Sequence, residues 1–311
     1  MDVVLHIGAH RTASTTFQHY IGENTQTLGL SGLGVWGPRR TRDGLLTGVI
    51  PVDEGHTPRE QLHRARARIA VNLAKAKAAG VQTLLISDEN MIGAPRRNLR
   101  KGRLYPDIGD RMARFSAAFD GAISRVAFSI RSHEHYWASV LAFAVARGHK
   151  LPTEDCLRDL AATPRMWRDV ITDLACALPG AEILVFPYEI FGGIPERSLE
   201  RMTGLGHPPR RYAREWLNRA PSLNQLRKIV QDRGGDATRL PDGMGRWQPF
   251  KTDQVRSMRE TYADDLFWLR AGADGLATLT EETGPAKTGQ IPRAAQTTRG
   301  QDNGIEDRRL A

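Results

Sequence analysis

The sequence predicts an α/β fold in which a mainly parallel β-sheet is flanked by helices. Short apolar runs alternate with amphipathic segments along the 311 residues, an order typical of βαβ units. The apolar runs are continuous, as expected when helices cover both faces of a parallel sheet. A chain of this length buries a sizeable core. We therefore expect one domain over residues 1–272 and, because no aromatic residue follows Trp268, a disordered tail over residues 273–311.

The first predicted strand lies at residues 3–7 and leads through a turn of small residues into a helix with Phe17, Tyr20 and Ile21 on one side. Arg11 and a cluster of hydroxyl residues occupy the start of that helix. Unpaired backbone N–H groups and the helix dipole both favour negative charge at such a position. The stretch therefore predicts a site for phosphate or a phosphate-like group.

Residues 28–55 are rich in glycine and arginine and predict a loop region with a short strand at 34–36. A helix is predicted to follow at 57–80, because Thr57, Pro58 and Glu60 match a capping box with proline at the first helical position. The next predicted strand, residues 83–86, runs into a polar cluster at 87–90. Ligand sites of open α/β sheets gather at this end of the strands.

The second half continues the alternation. A polar connection at 96–103 precedes predicted strands at 126–130 and 182–186. Helices are predicted at about 110–119, about 133–147, 157–178 in one or two pieces, 195–202 and 222–233, and a last helix begins at Thr252. A glycine-punctuated loop at 243–250 leads into it.

The charge, the cysteine content and the motifs of the chain limit the classes of function that we expect. The chain has 44 Lys and Arg against 35 Asp and Glu, a net charge of +9, which suits anionic partners. Its two cysteines, Cys156 and Cys176, have no metal-site spacing and predict free thiols. We find no signal peptide and no apolar run of about 18 residues, and so expect a cytoplasmic protein without a membrane span. Nucleic acid is not an expected partner, because no zinc finger, helix-turn-helix or RNA-binding sheet motif is present.

The loop after the first strand differs from the phosphate loop of nucleoside triphosphatases. That motif, G-x-x-x-x-G-K-[ST], needs a lysine that reaches the β- and γ-phosphates. Here Gly8 is followed after four residues by Ala13, and Ser14 occupies the lysine position. The change argues against a triphosphate as the ligand.

Residues 6–16 (HIGAHRTASTT) resemble the 5′-phosphosulfate loop of sulfotransferases, which use 3′-phosphoadenosine 5′-phosphosulfate (PAPS) as donor and release 3′-phosphoadenosine 5′-phosphate (PAP). Arg11 takes the position of the family's cation, and Ala13 stands where glycine is usual. The resemblance implies a P-loop NTPase-like sulfotransferase architecture. It also implies that the loop residues hold the 5′-phosphosulfate; these are Arg11, Thr12, Ala13, Ser14, Thr15 and Thr16.

A second stretch, residues 129–139 (SIRSHEHYWAS), is similar to the family's 3′-phosphate element, an arginine at a strand end and a serine eight residues later. It implies that Arg131 and Ser139 bind the 3′-phosphate, although His133 stands where many members have proline. Weaker similarities lie at 188–189, 218–226 and 245–250. The last resembles the loop that closes over the 3′-phosphate end and makes Arg246 and Trp247 candidates for cofactor binding. The resemblance spans roughly residues 3–270.

Sulfuryl transfer needs a group that takes the proton of the acceptor and groups that stabilise the leaving phosphate. For the base we favour Glu89, at the end of the second long strand, as the resemblance to carbohydrate-type sulfotransferases implies. His10, beside the loop, is a rival, and Arg11 is expected to stabilise the leaving group. His133 and His135 are further rivals that we expect to face solvent. No metal is expected.

We therefore expect an enzyme that moves a sulfuryl group from PAPS to a hydroxyl or amine of a carbohydrate or small-metabolite acceptor by in-line displacement. Two alternatives remain open from the sequence. One is a P-loop kinase or nucleotide-binding protein. The other is a non-catalytic polyanion-binding protein, which the positive net charge fits.

Overall fold

The computed structural model describes residues 1–53 and 55–281, and its centre is a six-stranded sheet in which all strands are parallel. The strands follow the order β2-β3-β1-β4-β5-β6. Helices flank this sheet, so the α/β prediction is confirmed. The strands are β1 Asp2–His6, β2 Leu33–Trp36, β3 Thr83–Ser87, β4 Ile123–Ile130, β5 Glu182–Pro187 and β6 Thr278–Leu279.

Helices make up most of the connections between the strands. In chain order they are α1 Ser14–Glu23, α2 Thr25–Leu30, α3 Pro38–Arg40, α4 Pro58–Ala78, α5 Pro95–Lys101, α6 Ile108–Ala118, α7 His133–Ala146, α8 Glu154–Ala161, α9 Trp167–Ala177, α10 Tyr188–Phe191, α11 Pro195–Thr203, α12 Leu223–Asp232 and α13 Thr252–Arg270. A π-helical segment covers Thr41–Leu45, and short 3₁₀ turns lie at Glu89–Ile92, Ala237–Arg239 and Ala273–Gly275. Within the described part of the chain, no helix is both long and apolar enough to cross a bilayer.

Both faces of the sheet are buried, which explains the continuous apolar runs. On one face, Val3 and Leu5 of β1 pack with side chains from α4, α6, α7, α9 and α13. On the other face, Val4 packs with Phe17 and Tyr20 of α1. Each fully buried side chain of this kind stabilises the fold by about 1.5–3 kcal/mol relative to an exposed one. The alternation of Val3, Val4 and Leu5 between two cores fixes the register of the central strand.

Helix α4 begins as its sequence predicted. The Glu60 backbone N–H donates to Thr57 Oγ1 at 3.3 Å, and the Thr57 N–H donates to Glu60 Oε2 at 2.8 Å. Pro58 occupies the first turn, and Gly80 follows the helix with a φ of 83°. The two free thiols, Cys156 and Cys176, lie in α8 and α9.

The predicted boundary at residue 272 lies too early. Residues 273–281 are ordered, and β6 within them pairs in parallel with β5. The Thr280 N–H donates to the carbonyl of Val185 at 2.8 Å, which extends the sheet by one strand. The rest of the predicted tail, residues 282–311, lies outside the described residues.

The sheet order places three strand ends side by side. β1 lies between β3 and β4, with His6 in register with Ser87 on one side and Ala127 on the other. Because the strands are parallel, the loops after β1, β3 and β4 open at the same edge. Most of the candidate site residues follow these three strands, whereas Arg246 and Trp247 lie in the loop before α13.

Candidate nucleotide-binding site

The loop after β1 packs closely against the backbone of β4. The Ala9 N–H donates to the carbonyl of Ser129 at 2.9 Å. A Cβ added to Gly8 would lie 2.9 Å from both Cβ and Oγ of Ser129, closer than real Cβ contacts. Glycine is therefore required at this position by the approach of the two strands, which sets where the loop begins.

Two residues of this loop adopt the left-handed conformation. Arg11 has a φ of 67° and Ala13, the N-cap of α1, a φ of 66°. Thr12 closes the turn by donating from Oγ1 to the Ala9 carbonyl at 2.5 Å. Left-handed residues in such turns orient successive N–H groups towards a common point and form anion-binding concavities. The same geometry explains why glycine is favoured where this chain has Ala13.

The hydroxyl groups at the start of α1 have different surroundings. Thr16 Oγ1 accepts from the Leu217 N–H at 3.0 Å, and Thr15 Oγ1 accepts from Asn218 Nδ2 at 3.4 Å. Both therefore connect α1 to the segment before α12. Ser14 Oγ is buried and has no hydrogen-bond partner among the described residues. A buried hydroxyl without a partner at a helix N-terminus is suited to receive a ligand oxygen.

The two regions selected from the sequence meet at this edge of the sheet. Arg11 Nε donates to Ser139 Oγ at 3.1 Å, across 128 positions of sequence. Arg131 Nη1 donates to the Arg11 carbonyl at 2.8 Å, across 120 positions. The guanidinium of Arg131 lies over the Tyr188 ring at 4.4 Å from its centroid. Arg131 is 5% exposed, and its Nε has no partner among the described residues.

Positive charge is concentrated here. The pKa of Arg11 is lowered to about 10, first by burial and then by the charges of Arg131 and Arg147, with a smaller contribution from Arg246. Burial also lowers the pKa of Arg131, and Arg246 adds to that effect. Arg11 therefore lies close enough to three further arginines to be repelled by each of them, and a bound anion relieves such repulsion.

Arg131 is positioned by a buried network of residues that lie far apart in the sequence. Its carbonyl accepts from Trp167 Nε1 at 2.7 Å. Asp265 of α13 is fully buried and accepts from the backbone N–H groups of Trp167 and Arg168 at 3.0 and 3.1 Å. The carboxylate thereby caps the start of α9 and holds in place the indole that contacts Arg131.

His133 lies in this network, which corrects the expectation that it faces solvent. It is 2% exposed, and its Nε2 lies 3.0 Å from Asp265 Oδ2. His133 therefore links α7 to α13 and has no access to a substrate. His135 is partly exposed. Its Nδ1 lies 3.0 Å from Ser132 Oγ, beside the end of β4.

The two candidate residues of the loop before α13, Arg246 and Trp247, have different surroundings. Arg246 is exposed and close enough to Arg11 and Arg131 to lower the pKa of both. Trp247 is 7% exposed and packs in the main hydrophobic core. The structure therefore brings Arg246 to the arginine cluster and places the Trp247 ring in the core, where it offers no face to a nucleotide base.

Glu89 follows β3, the neighbour of β1. Gln18 of α1 donates to Glu89 Oε2 at 2.5 Å, and Arg42 Nη2 lies 3.2 Å from Oε1. Burial alone raises the pKa of this carboxyl, but the hydrogen bond from Gln18 and the charges of His10 and Arg42 outweigh it and hold the pKa below its usual value. Glu89 is therefore a carboxylate at neutral pH, with 14% of its side chain exposed.

Arg42 and Asp88 complete this side of the site. Arg42 Nη2 donates to Asp88 Oδ1 at 2.6 Å and its Nε donates at 3.2 Å, so the pair is multiply bonded. Asp88 also accepts from Thr41 Oγ1 at 2.7 Å and from the Asn90 N–H at 3.0 Å. These bonds tie the π-helical segment to the end of β3 and place Arg42 against Glu89.

His10 is held by partners on both ring nitrogens. Tyr105 OH accepts from the His10 backbone N–H at 2.8 Å and lies 3.0 Å from Nδ1, and the Asn90 side-chain amide lies 3.1 Å from Nε2. Burial lowers the pKa of His10, although the Asn90 contact and the charge of Glu89 oppose the shift. His10 thus fixes the shape of the loop through Tyr105.

Comparisons with known proteins provide no evidence about the function of this chain. No family model matches the sequence, and no match was found among curated proteins or among solved structures. Within residues 1–53 and 55–281, no group of three or more His, Cys, Asp or Glu side chains is arranged to hold a metal ion. The arginine cluster and the loop after β1 are the features from which a function can be argued.

Proposed function

We propose that the protein is a sulfotransferase that takes a sulfuryl group from PAPS and transfers it to a hydroxyl or amine of a carbohydrate or small-metabolite acceptor. The observation that supports this proposal most strongly is the contact of Arg11 with Ser139 at 3.1 Å. One residue belongs to the predicted 5′-phosphosulfate loop and the other to the predicted 3′-phosphate element. Two motifs selected separately thus lie at one edge of the sheet, as a ligand with two anionic ends requires.

The residues present fit such a ligand. The N–H groups of Ser14, Thr15 and Thr16 open α1 and have no carbonyl partner within the helix. Ser14 Oγ and Arg131 Nε are buried donors without partners among the described residues. Leaving such groups unpaired costs about 1–3 kcal/mol each. An anion at the loop and a second at Arg131 satisfy them.

The site suits a nucleotide with a 5′- and a 3′-anion better than a triphosphate. Ser14 stands at the start of α1 where a triphosphate loop has its lysine. Asp88, at the end of the strand beside β1, is already bonded to Arg42 and Thr41. In a kinase, Asp88 would have to break these hydrogen bonds before its carboxylate could bind magnesium.

The donor supplies a sulfuryl group on a good leaving phosphate, and the chain supplies orientation, charge and a base. Arg11 and the loop N–H groups stabilise the negative charge that grows on the bridging oxygen as its bond to sulfur breaks. The acceptor oxygen or nitrogen forms the new bond to sulfur and gives its proton to a carboxylate. Glu89 is ionised, partly exposed and linked to α1 through Gln18. We assign the base role to it, because each of its carboxylate oxygens keeps a free lone pair beside its present partner, whereas both ring nitrogens of His10 are occupied and an imidazole has no further acceptor.

Nucleotide binding tests the proposal. PAP at about 100 times its Kd adds about 2.7 kcal/mol to the free energy of unfolding. We expect this gain in a thermal-denaturation titration, and a much smaller gain with ATP and Mg²⁺ at equal concentration. Stabilisation by ATP without stabilisation by PAP contradicts the proposal and favours the kinase alternative. Equal, salt-sensitive stabilisation by any polyanion favours a binding protein.

The base assignment has its own test. Glu89→Gln removes the proton acceptor but keeps the shape and the contact with Gln18. We expect loss of PAPS-dependent transfer with PAP affinity unchanged, whereas the same substitution at the exposed Glu260 of α13 leaves both unchanged. Transfer by the Glu89→Gln variant at the wild-type rate shows that another group accepts the proton.

A further inference from the structure

Arg147, which follows the last residue of α7, turns back along its helix towards the arginine cluster. Its guanidinium lies 3.6 Å from the centroid of the Phe143 ring. Arg11 lies over the same ring at 4.8 Å. Among the described residues, no hydrogen bond or ion pair holds the side chain of Arg147. Two cations therefore share one aromatic ring at the edge of the candidate site.

The spacing of Arg147 and Phe143 along α7 places both on the helix face that carries Ser139. Ser139, Phe143 and Arg147 are spaced four residues apart, so they follow one another along a single face of α7. Ser139 Oγ already accepts from Arg11 Nε. The face that presents Ser139 to the site therefore also presents Phe143 and Arg147.

A cation at the end of a helix has an ordinary explanation, stabilisation of the helix dipole. Here another residue serves that purpose, because Arg233 Nη1 donates to the Val145 carbonyl in the last turn of α7 at 3.0 Å. Arg147 instead lies where its charge lowers the pKa of Arg11. Like charges placed together in this way destabilise the protein unless an anion binds between them.

We propose that Arg147 is a ligand-binding residue of the same site and contacts the 3′-phosphate of the bound nucleotide together with Ser139 and Arg131. This inference rests on the proposed function and extends it to a residue that neither resembling motif contains. Phe143 serves as the surface on which the Arg147 and Arg11 guanidinium groups are held. The site then binds the 3′-phosphate with two arginines, Arg131 and Arg147, and with the hydroxyl of Ser139, and it discriminates against nucleotides that lack this phosphate.

Calorimetric titration with PAP and with AMP, which lacks the 3′-phosphate, tests the inference. Arg147→Gln should weaken PAP binding about tenfold, as expected for loss of a hydrogen bond to a charged group. AMP affinity should stay within about twofold of wild type. Arg147→Lys should recover part of the loss, because it keeps the charge. Arg256→Gln removes the same charge from an exposed position of α13 and serves as the control.

Each other outcome overturns the inference. Unchanged PAP affinity in Arg147→Gln removes the residue from the site. An equal loss for PAP and AMP shows that Arg147 acts on the 5′ end or through Arg11. An equal loss in Arg256→Gln shows a general effect of net charge. Failure of the wild-type protein to bind PAP at all is a separate result, because it refutes the proposed function and this inference with it.

Discussion

The buried histidine of β1 makes the stability of this protein depend on pH. His6 lies one residue before the loop, is 5% exposed, and is hydrogen-bonded through Nδ1 to Ser87 Oγ at 2.8 Å. Burial lowers its pKa from 6.5 to about 4, and the charge of Glu89 opposes this shift only in part. His6 therefore stays neutral in the folded protein at pH values where it is protonated in the unfolded chain.

The sign and size of the effect follow from linkage. Between pH 6.5 and 4 the unfolded chain binds a proton at this position and the folded protein does not, so stability falls as the pH falls. With a folded pKa of about 4 and an unfolded pKa of 6.5, the loss due to His6 is about 2 kcal/mol between pH 7 and pH 5. Above pH 6.5 the residue has little effect on the slope.

Urea denaturation at pH 7 and pH 5 measures this loss. His6→Gln removes the titrating group and keeps a polar atom near Ser87. We expect the variant to lose about 2 kcal/mol less than wild type between the two pH values. His63→Gln, which removes an exposed histidine of α4, should retain the wild-type loss. A difference below about 0.5 kcal/mol between wild type and His6→Gln refutes the reasoning.

Three further predictions concern the frame of the site. Gly8→Ala should destabilise the protein by about 1–3 kcal/mol, because the new Cβ meets Ser129 at 2.9 Å; urea midpoints measure this, and an unchanged midpoint contradicts it. Ala13→Gly should raise the free energy of unfolding by up to about 1 kcal/mol, because it relieves a left-handed alanine. Lower stability of that variant contradicts the strain argument. Asp265→Asn should cost about 1–3 kcal/mol, since an amide turns a donor towards one of the N–H groups that the carboxylate accepts. It should also weaken PAP binding through Arg131, and unchanged affinity shows that the network does not position that residue.

Much of the fold is predictable because it depends on interactions between residues that are close together in the sequence. The capping box at Thr57 specifies where α4 begins, and the apolar runs specify the central strands, because both depend on neighbouring residues. Arg131 and Ser139 are selected together through a resemblance, because an arginine at a strand end and a serine eight residues later are similar to the 3′-phosphate element of sulfotransferases. In contrast, β6 is two residues long and has no apolar run. Its position depends on pairing with β5, so the sequence pattern alone predicts a domain boundary that lies too early.

The features that the sequence does not predict depend on contacts between residues that are far apart in the chain. His133 is buried because Asp265, 132 residues away, receives it. Arg42 reaches Glu89 from a π-helical segment within a glycine-rich region that carries no periodic pattern. Asp265 had a detectable signal, because it lies three residues after Tyr262 and four before Leu269 on the buried face of α13. A carboxylate at such a position indicates a buried network, since an unpaired buried charge is strongly unfavourable.

The central claim is that the loop after β1 and the end of β4 form one site for a 3′-phosphorylated nucleotide. A crystal structure of the protein with PAP tests it most directly. We expect the 5′-phosphate at the N–H groups that open α1, beside Arg11, and the 3′-phosphate between Arg131 and Ser139. Nucleotide bound elsewhere, or with no phosphate at either arginine, contradicts the claim.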